Sequence, residues 1–525
     1  MKNINLQLQS GQWHKTANIA VCGYCFDGEH NFYDGERLLQ LFATIKSETD
    51  FQHLLQKLNG IFSVVVIIEN SLFATSDKSR VVPLFYSFEN ETFSISDNPY
   101  NLLSEKPKID KEAEQEFLLS SIILDEKTLI EGIFQIKPAC YLCFENEKIT
   151  QKEFYSYRVK QSEINTSKTL EKDFSTVLEH VFRRLIRSAN GRQIVIPLSG
   201  GYDSRLIAAM LKKLDYRNVV CYTVGRENNP EYRIAKEVAQ SLGFRHYFIF
   251  TGDKTFLNNY TSDETFQRYY TFSGSFVQFF WMYEYFGVKY LINSGLIEKD
   301  AIFVPGYAGD FLAGSRITAF DVEIDNSQKQ IAEKIARCIF TFGKPNEKTI
   351  EKITKCIANS SDTLATSVFD DVVMKTGVAK LINNATRLHN FFGHDVRLPF
   401  WDNEILEFFR TLPPYLKYNK SFYANFLKNS LFKDYNINFA KELQIEHKKN
   451  PLQPLKELIR PYTPKFVLRL VSNHQDYICM NEMTAILIPD LKKRGVKLNT
   501  IQTNEILTRW YLMKIKEDLK IKTRI

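Results

Sequence analysis

Residues I194-V-I-P-L-S-G-G-Y-D-S-R205 run from a short apolar strand straight into a loop of small residues and then into a helix. Ser199, Gly200 and Gly201 lack the bulk that keeps backbone amides away from a ligand, and the helix after them offers unpaired N–H groups and the positive end of its dipole. The segment therefore reads as a cradle for an anion, with Asp203 and Ser204 at its rim. Leu206, Ile207, Met210, Leu211 and Leu214 recur at helical spacing, so this helix turns one face to a core, while Arg205, Lys212 and Lys213 are expected to stay in water. Neither of the two commoner phosphate loops is present: no Lys-Ser/Thr pair closes a Walker loop, and no GxGxxG follows the strand. The competing reading is a Gly-rich turn that joins strand to helix and binds nothing.

The rest of the composition bounds the protein class. With 525 residues and 44% hydrophobic content, the chain can bury two ordinary cores, which excludes a fibre or a disordered tract. Its 68 basic residues are spread against 61 acidic ones, for a formal charge of +7, without a long basic run. Nucleic acid is not indicated as a partner. The start of the chain, with Lys2 and polar residues after it, has no signal-peptide core, and the apolar stretch from Phe276 to Ile292 is interrupted by Glu284 and Lys289. A cytoplasmic protein with no membrane span is expected. C22-G-Y-C25 and C140-Y-L-C143 have zinc-site spacing, but both lie in strand-like stretches, where residues three apart face opposite ways. Buried free thiols are the expectation instead.

Further motifs carry a resemblance that runs along most of the chain. S199-G-G-Y-D-S204 resembles the PP-loop of ATP pyrophosphatases. V220-C-Y-T-V-G225 with E231-Y-R-I-A-K-E-V-A-Q-S-L-G243, F303-V-P-G-Y-A-G-D-F-L-A-G314, D395-V-R-L-P-F-W-D402 and the KxxxxP spacing of Lys449 and Pro454 are similar, in the same order, to segments of the asparagine synthetases. The resemblance implies that ATP is held by Leu198, Ser199, Gly200, Gly201, Asp203, Ser204 and Val224 together with Pro305 and Gly306 of the second loop. Asp203 and Asp310 would converge as Mg²⁺ ligands, hard oxygens suited to an ion that keeps waters and bridges phosphates. Lys449 would meet the charge building on the leaving pyrophosphate, or be one more solvated Lys beside His447 and Lys448. Asp395 stands where the family has a Glu that orients or deprotonates the incoming amine, one methylene shorter. Arg397 is either part of that segment's chemistry or a structural ion-pair partner.

Departures are equally informative. The family's second loop usually reads Ser-Gly-Glu-Gly before its Asp and Glu after it; here Tyr307 and Phe311 replace the two carboxylates. They, with Tyr202, are either platforms for a different acyl substrate or, in a chain with 26 Tyr and 41 Phe, simple packing. The stretch from Leu58 to Tyr86 is similar to the second part of the family's N-terminal glutaminase domain, where LxGxFAF and RDxxGxxPLxY recur, and Thr128 to Leu142 to its closing strands. The nucleophile of that domain is a terminal Cys, whereas position 2 is Lys2, and no clear NGExYN segment lies around Val21 to Asp27.

The resemblance thus implies an α/β synthetase domain over residues 166–525, with a parallel sheet of the PP-loop, HUP-like type and added helices. A smaller α+β Ntn-hydrolase-like sandwich, degenerate as a glutaminase, would precede it over residues 1–165. The linker falls near Gln161 to Lys172, before a helix from Leu170 to Leu185, and a closing helix with Ile506, Trp510, Leu512 and Met513 on its apolar stripe is expected from Thr503 to Lys516. The implied activity is an ATP- and Mg²⁺-dependent carboxylate–amine ligase that forms an acyl-adenylate and then an amide. Its nitrogen would come from ammonia, an amine substrate or a separate glutaminase. Aspartate is the family's default acid. The alternatives are a specialised amidotransferase acting on a uronic acid sugar or another carboxylate, an intramolecular amide former like the β-lactam synthetases, and a nucleotide-binding pseudo-synthetase without catalysis.

Overall fold

The computed structural model describes residues 4–9, 12–317, 327–357, 363–439, 476–496, 498 and 502–520. Sixteen strands form three sheets among these residues. The N-terminal part contributes β1 (Ile4–Gln7), β2 (His14–Lys15), β3 (Ile19–Phe26), β4 (Phe32–Asp34), β5 (Asn59–Ile68), β6 (Ser71–Ser76), β7 (Phe85–Glu89), β8 (Thr92–Ser96), β9 (Phe134–Gln135), β10 (Cys140–Glu145) and β11 (Lys148–Glu153). A four-stranded sheet runs β1-β8-β7-β9, and a seven-stranded antiparallel sheet runs β11-β10-β6-β5-β3-β2 with β4 on β3. Alternation decides how they stack. On β5, Val65 joins Leu72, Ala74, Phe93, Ile95 and Leu142 in the core between the sheets, whereas Val64 and Val66 face the helices Gly35–Phe42 and Glu48–Lys57. Helices, one sheet and a second sheet make three layers.

The same alternation separates the cysteine pair on β3. Cys25 is buried in the helix-facing core, whereas Cys22 faces a cavity on the other side of the strand.

The later part is built on a five-stranded, all-parallel sheet of β12 (Ile194–Pro197), β13 (Val219–Val224), β14 (Arg245–Ile249), β15 (Ile302–Phe303) and β16 (Asp395–Val396), in the order β14-β13-β12-β15-β16. Its strands are continuous apolar runs because both faces are covered. Ile194, Ile196, Val219 and Cys221 face one core, with the helices Leu170–Ala189, Tyr202–Lys213 and Pro230–Leu242. Val195, Val220 and Tyr222 face the other, with Glu264–Gly274, Tyr285–Asn293 and Thr503–Asp518. The helix expected from Leu170 continues to Ala189, where Asn190 closes it in the left-handed conformation. The closing helix is buried on more than a stripe: Leu507, Tyr511 and Ile515 are buried beside Trp510, and Arg509 pairs with Glu505 at 2.8 Å.

The two parts are bound by polar contacts. Asn59 Nδ2 donates to Asp402 at 2.9 Å, the Tyr157 amide donates to Asp371 at 2.8 Å, and Arg187 Nη1 donates to His30 O at 2.9 Å. No described helix is long and apolar enough to cross a membrane.

Candidate active site

Strand order places the site. The chain leaves β12 for β13 on one side, and after β14 it returns to β15 on the other side of β12. A crevice therefore opens beyond the carboxyl ends of β12 and β15, where the connections diverge. The loop Leu198–Gly201 leaves β12 into this crevice, and the loop from Val304 to Gly309 enters it from β15.

The first loop is braced by its own hydroxyls. The Ser199 amide donates to Ser204 Oγ at 3.1 Å and the Gly201 amide to Ser199 Oγ at 3.1 Å. Leu198 is fixed by the sheet, its amide donating to Tyr222 O at 2.8 Å and its carbonyl accepting from the Thr223 hydroxyl at 2.6 Å. Gly200 packs under the next helix, where a Cβ would lie 3.1 Å from Glu231 Cα. Burial pushes the Glu231 carboxyl up, and a hydrogen bond from the Gly200 amide pulls the other way. At the end of β13, Val224 packs against Gly287, where a Cβ would come within 2.4 Å of it.

The second loop meets Asp203 at close range. The Asp310 amide donates to Asp203 Oδ2 at 2.7 Å, and a Cβ on Gly309 would sit 2.5 Å from Asp203 Cγ. On Gly306 it would sit 2.9 Å from Asp203 Cβ. Only glycine lets the two loops close to this distance. Tyr423 donates to Asp203 Oδ1 at 2.9 Å. Burial and the Asp310 charge push the Asp203 carboxyl up to about 7, against the Tyr423 and Asp310 hydrogen bonds and the charge of Lys420. Two converging carboxylates, one resisting ionisation for want of positive charge, are a donor set that fits Mg²⁺ completed by water and phosphate oxygens. Among the described residues no group of three or more His, Cys, Asp or Glu gathers as a complete metal cage.

Several expectations are answered differently. Arg205, expected in water, is fully buried: it donates to Gly200 O and to Ile437 O at 3.0 Å, with Phe432 beneath it, so helical spacing misplaced it. Phe311 is buried in the core rather than facing the crevice. Tyr307 donates to Glu284 Oε2 at 3.0 Å, and Tyr222 donates to Glu284 Oε1 at 3.3 Å. Burial raises the Glu284 carboxyl. A carboxylate thus remains beside the second loop, supplied by a different element; its signal was an acid inside an apolar run. Tyr423 carried no sequence signal.

Asp395 is not brought to the two loops. It registers with Ile302 at the start of β15, four residues before Gly306, a strand distance of roughly 13 Å. There it pairs with Arg192 at 2.8 Å and borders a cavity between the two parts of the chain. Arg397 is structural: Nε and Nη2 donate to Ser188, Nη1 to Val396 O, and its guanidinium lies 3.9 Å from the Tyr24 ring centre. Lys449 and Pro454 lie outside the described residues.

The comparisons with known proteins agree with this layout. Residues 30–155 match the glutamine amidotransferase domain model, and residues 177–283 match the asparagine synthase model. The match to a glutamine amidotransferase domain thus precedes the match to an asparagine synthase domain along the chain. Over these regions the chain is similar to the asparagine synthetases. It is 28% identical over 236 residues to a probable glutamine-hydrolysing asparagine synthetase of Acanthamoeba polyphaga mimivirus, over 41% of this chain and 38% of that protein. The chain thus spans about two fifths of the length of that curated relative. Two solved structures overlap it at a TM-score of 0.19. The allosteric regulatory enzyme of purine biosynthesis does so at 11% identity over 46% of this chain and 62% of its own. The glutamine phosphoribosylpyrophosphate amidotransferase of B. subtilis, complexed with ADP and GMP, does so at 9% identity over 68% and 78%. Overlap at that level adds nothing to the reading of the fold.

Proposed function

We propose that the chain is a cytosolic ATP-dependent carboxylate–amine ligase, its synthetase part beginning near residue 166. The carboxylate attacks the α-phosphorus of ATP, the bond to the β,γ-pyrophosphate breaks, and an acyl-adenylate forms. An amine then attacks the acyl carbon, losing a proton, and AMP leaves with the electron pair. The observation that carries this reading is the convergence of Asp203 and Asp310 across the β12 and β15 loops. They would hold Mg²⁺, which supplies charge neutralisation at the phosphates. The Ser199–Gly201 loop would cradle the pyrophosphate with its backbone, and Gly306 and Gly309 keep the second loop close enough for both carboxylates to serve. Lys449 is proposed as the cation for the leaving group by resemblance alone. Asp395, on the far strand end, is left out of the reacting set.

Aspartate is the default acid of this proposal. A second reading, a different or larger carboxylate, is favoured by the Tyr307–Glu284 pair, which lines the second loop with an aromatic ring and a held carboxylate. A sugar acid can place a face on the ring and a hydroxyl on the carboxylate. Ammonia or an amine substrate is the proposed nitrogen donor, because the N-terminal cysteines offer no activated thiolate: burial pushes Cys22 up to about 12 and Cys140 up to about 11. The test is pyrophosphate release from ATP, Mg²⁺ and ammonium across aspartate, nucleotide-linked uronic acids and β-amino acids. Release with one acid supports the ligase and names its acid. Intact ATP binding with silence across the panel supports the non-catalytic alternative.

A further inference from the structure

The hydrogen-bond ladder between β12 and β13 stops one bond short of the crevice. Asn218 O and Tyr222 O accept from the Ile194 and Leu198 amides at 2.8 Å, whereas the Gly225 amide donates the other way, to Ile249 O of β14 at 3.0 Å. By that alternation Val224 turns both its N–H and its C=O to the β12 side. A regular ladder would continue from the Val224 amide to Leu198 O. Among the described residues no hydrogen bond reaches either backbone group of Val224, which is half-buried at the carboxyl end of its strand.

A side chain takes the Leu198 carbonyl instead. Thr223 Oγ1 lies 2.6 Å from Leu198 O, a separation that two oxygens keep only with a proton between them. A hydroxyl has one proton, so Thr223 accepts from its other neighbour, His246 Nε2, at 2.9 Å. The contact therefore fixes the tautomer of His246, with a proton on Nε2. Burial and then the charge of Lys236 bring this imidazole down to about 4, so it is neutral near pH 7. Its plane is held as well: Tyr232 of the helix Pro230–Leu242 stacks over it with ring centres 6.0 Å apart, and stacks on Phe248 at 4.1 Å. Thr223 itself is buried, and water does not compete for its hydroxyl.

The consequence falls on Val224. A backbone N–H beside a C=O, both open at a strand end, matches a ligand edge that sets an acceptor beside a donor. N1 and the 6-amino group of adenine form such an edge, whereas hypoxanthine, with a proton on N1 and an oxygen at C6, reverses it. Without the Thr223 hydroxyl, Leu198 O would be left without a donor and the Val224 amide is the nearest group in the ladder to supply one. The edge that the base needs would then be closed by the sheet.

We propose that Thr223 and His246 are positioning residues for recognition of the nucleobase: His246 aims the Thr223 proton at Leu198 O, and this keeps the Val224 backbone open to the N1 and 6-amino edge of ATP. The inference rests on the ATP-dependent reading of the crevice. Neither side chain touches the nucleotide, and both act through the Leu198 carbonyl.

The test is calorimetric titration of the full chain with ATP and with ITP, each with Mg²⁺ at neutral pH, on the wild-type chain and on Thr223→Val, Thr223→Ser and His246→Leu. The wild-type chain is expected to prefer ATP. Thr223→Val and His246→Leu should bind ATP about tenfold more weakly and ITP as before, so the preference falls by the same factor, and Thr223→Ser, which keeps the hydroxyl, should keep the preference. Thr223→Val changes little in shape and keeps the test sound should His246→Leu misfold. A merely structural role would weaken both nucleotides alike. Such a parallel loss, an unchanged preference in Thr223→Val, an equal loss in Thr223→Ser, or equal binding of ATP and ITP by the wild-type chain overturns this inference and leaves the ATP reading standing. A wild-type chain that binds neither nucleotide overturns both.

Discussion

The two edges of the parallel sheet carry opposite unfinished charges. At the carboxyl edge, Asp203 and Asp310 face each other over glycines with a carboxyl pushed up to about 7. At the amino edge, Arg387 and Arg80 are buried near each other, and Nε of both and Nη2 of Arg80 have no acceptor. A folded chain tolerates one such imbalance only if its total stability exceeds the cost, since each unpaired buried group forfeits its hydration. The carboxyl-edge pair opens on the crevice, where the proposed cation with phosphates would relieve it, whereas the unpartnered nitrogens at the amino edge have no exposed surface and their cost is carried by the rest of the fold.

The largest effect that would break this contrast is expected from Asp203→Asn or Asp310→Ala. Each should lower pyrophosphate release by on the order of a thousandfold, because the proposed metal would no longer be held against the transition-state charge at phosphorus. Circular dichroism should show the fold intact, and activity retained in both variants would remove the metal role. Gly309→Ala comes next. Its Cβ has to displace Asp203 Cγ from 2.5 Å, an overpacking cost of about 1–3 kcal/mol, and divalent binding should weaken with it. Denaturant melts paired with Mn²⁺ titrations measure both.

The carboxyl edge also has a pH signature. Asp203 holds its proton up to about 7 in the folded chain against 3.8 as its ordinary value, so its ionisation opposes folding as pH rises from 4 through 7. A metal must displace that proton. Divalent affinity is expected to fall about tenfold per pH unit below about 7 and to level off above it, with Asp203→Asn losing the slope. A flat Mn²⁺ affinity between pH 5.5 and 8 would contradict the shared-charge account of the pair.

Tyr307→Phe should act on substrate rather than on ATP. Removal of the hydroxyl leaves Glu284 with one donor fewer, worth about 1–2 kcal/mol, and is expected to raise KM for the carboxylate about tenfold with KM for ATP unmoved. Equal changes in both constants would reduce Tyr307 to packing. The smallest effect is expected at Arg192→Gln. Its pair with half-exposed Asp395 at 2.8 Å contributes about 0–1 kcal/mol, so the melting temperature should shift little and less still at high salt.

Residues near in sequence told their own story. The strand–loop–helix around Ser199 to Ser204, the helix from Leu170 and the closing helix from Thr503 were legible because spacing and small side chains act over a few residues. The placing of charge was not. Arg205 shares the period of a wet face yet ends beneath a cluster of aromatics from residues 432 and 439. Glu284 looked like an interruption in an apolar run and is the carboxylate held by Tyr307. Tyr423 reaches Asp203 from 220 positions away. Asp395 aligned with a catalytic position, but its strand register turns it towards the opposite edge.

The sequence by itself determined which segments could approach a phosphate, since only the absence of side chains lets a backbone come close, and which helices had a core-facing side. The tertiary structure alone decided which charges are left without partners. That depends on what else is buried within a few ångströms, and residues far apart in the chain set it: a carboxylate raised by burial and by a second carboxylate, and an arginine on a left-handed backbone buried near another arginine.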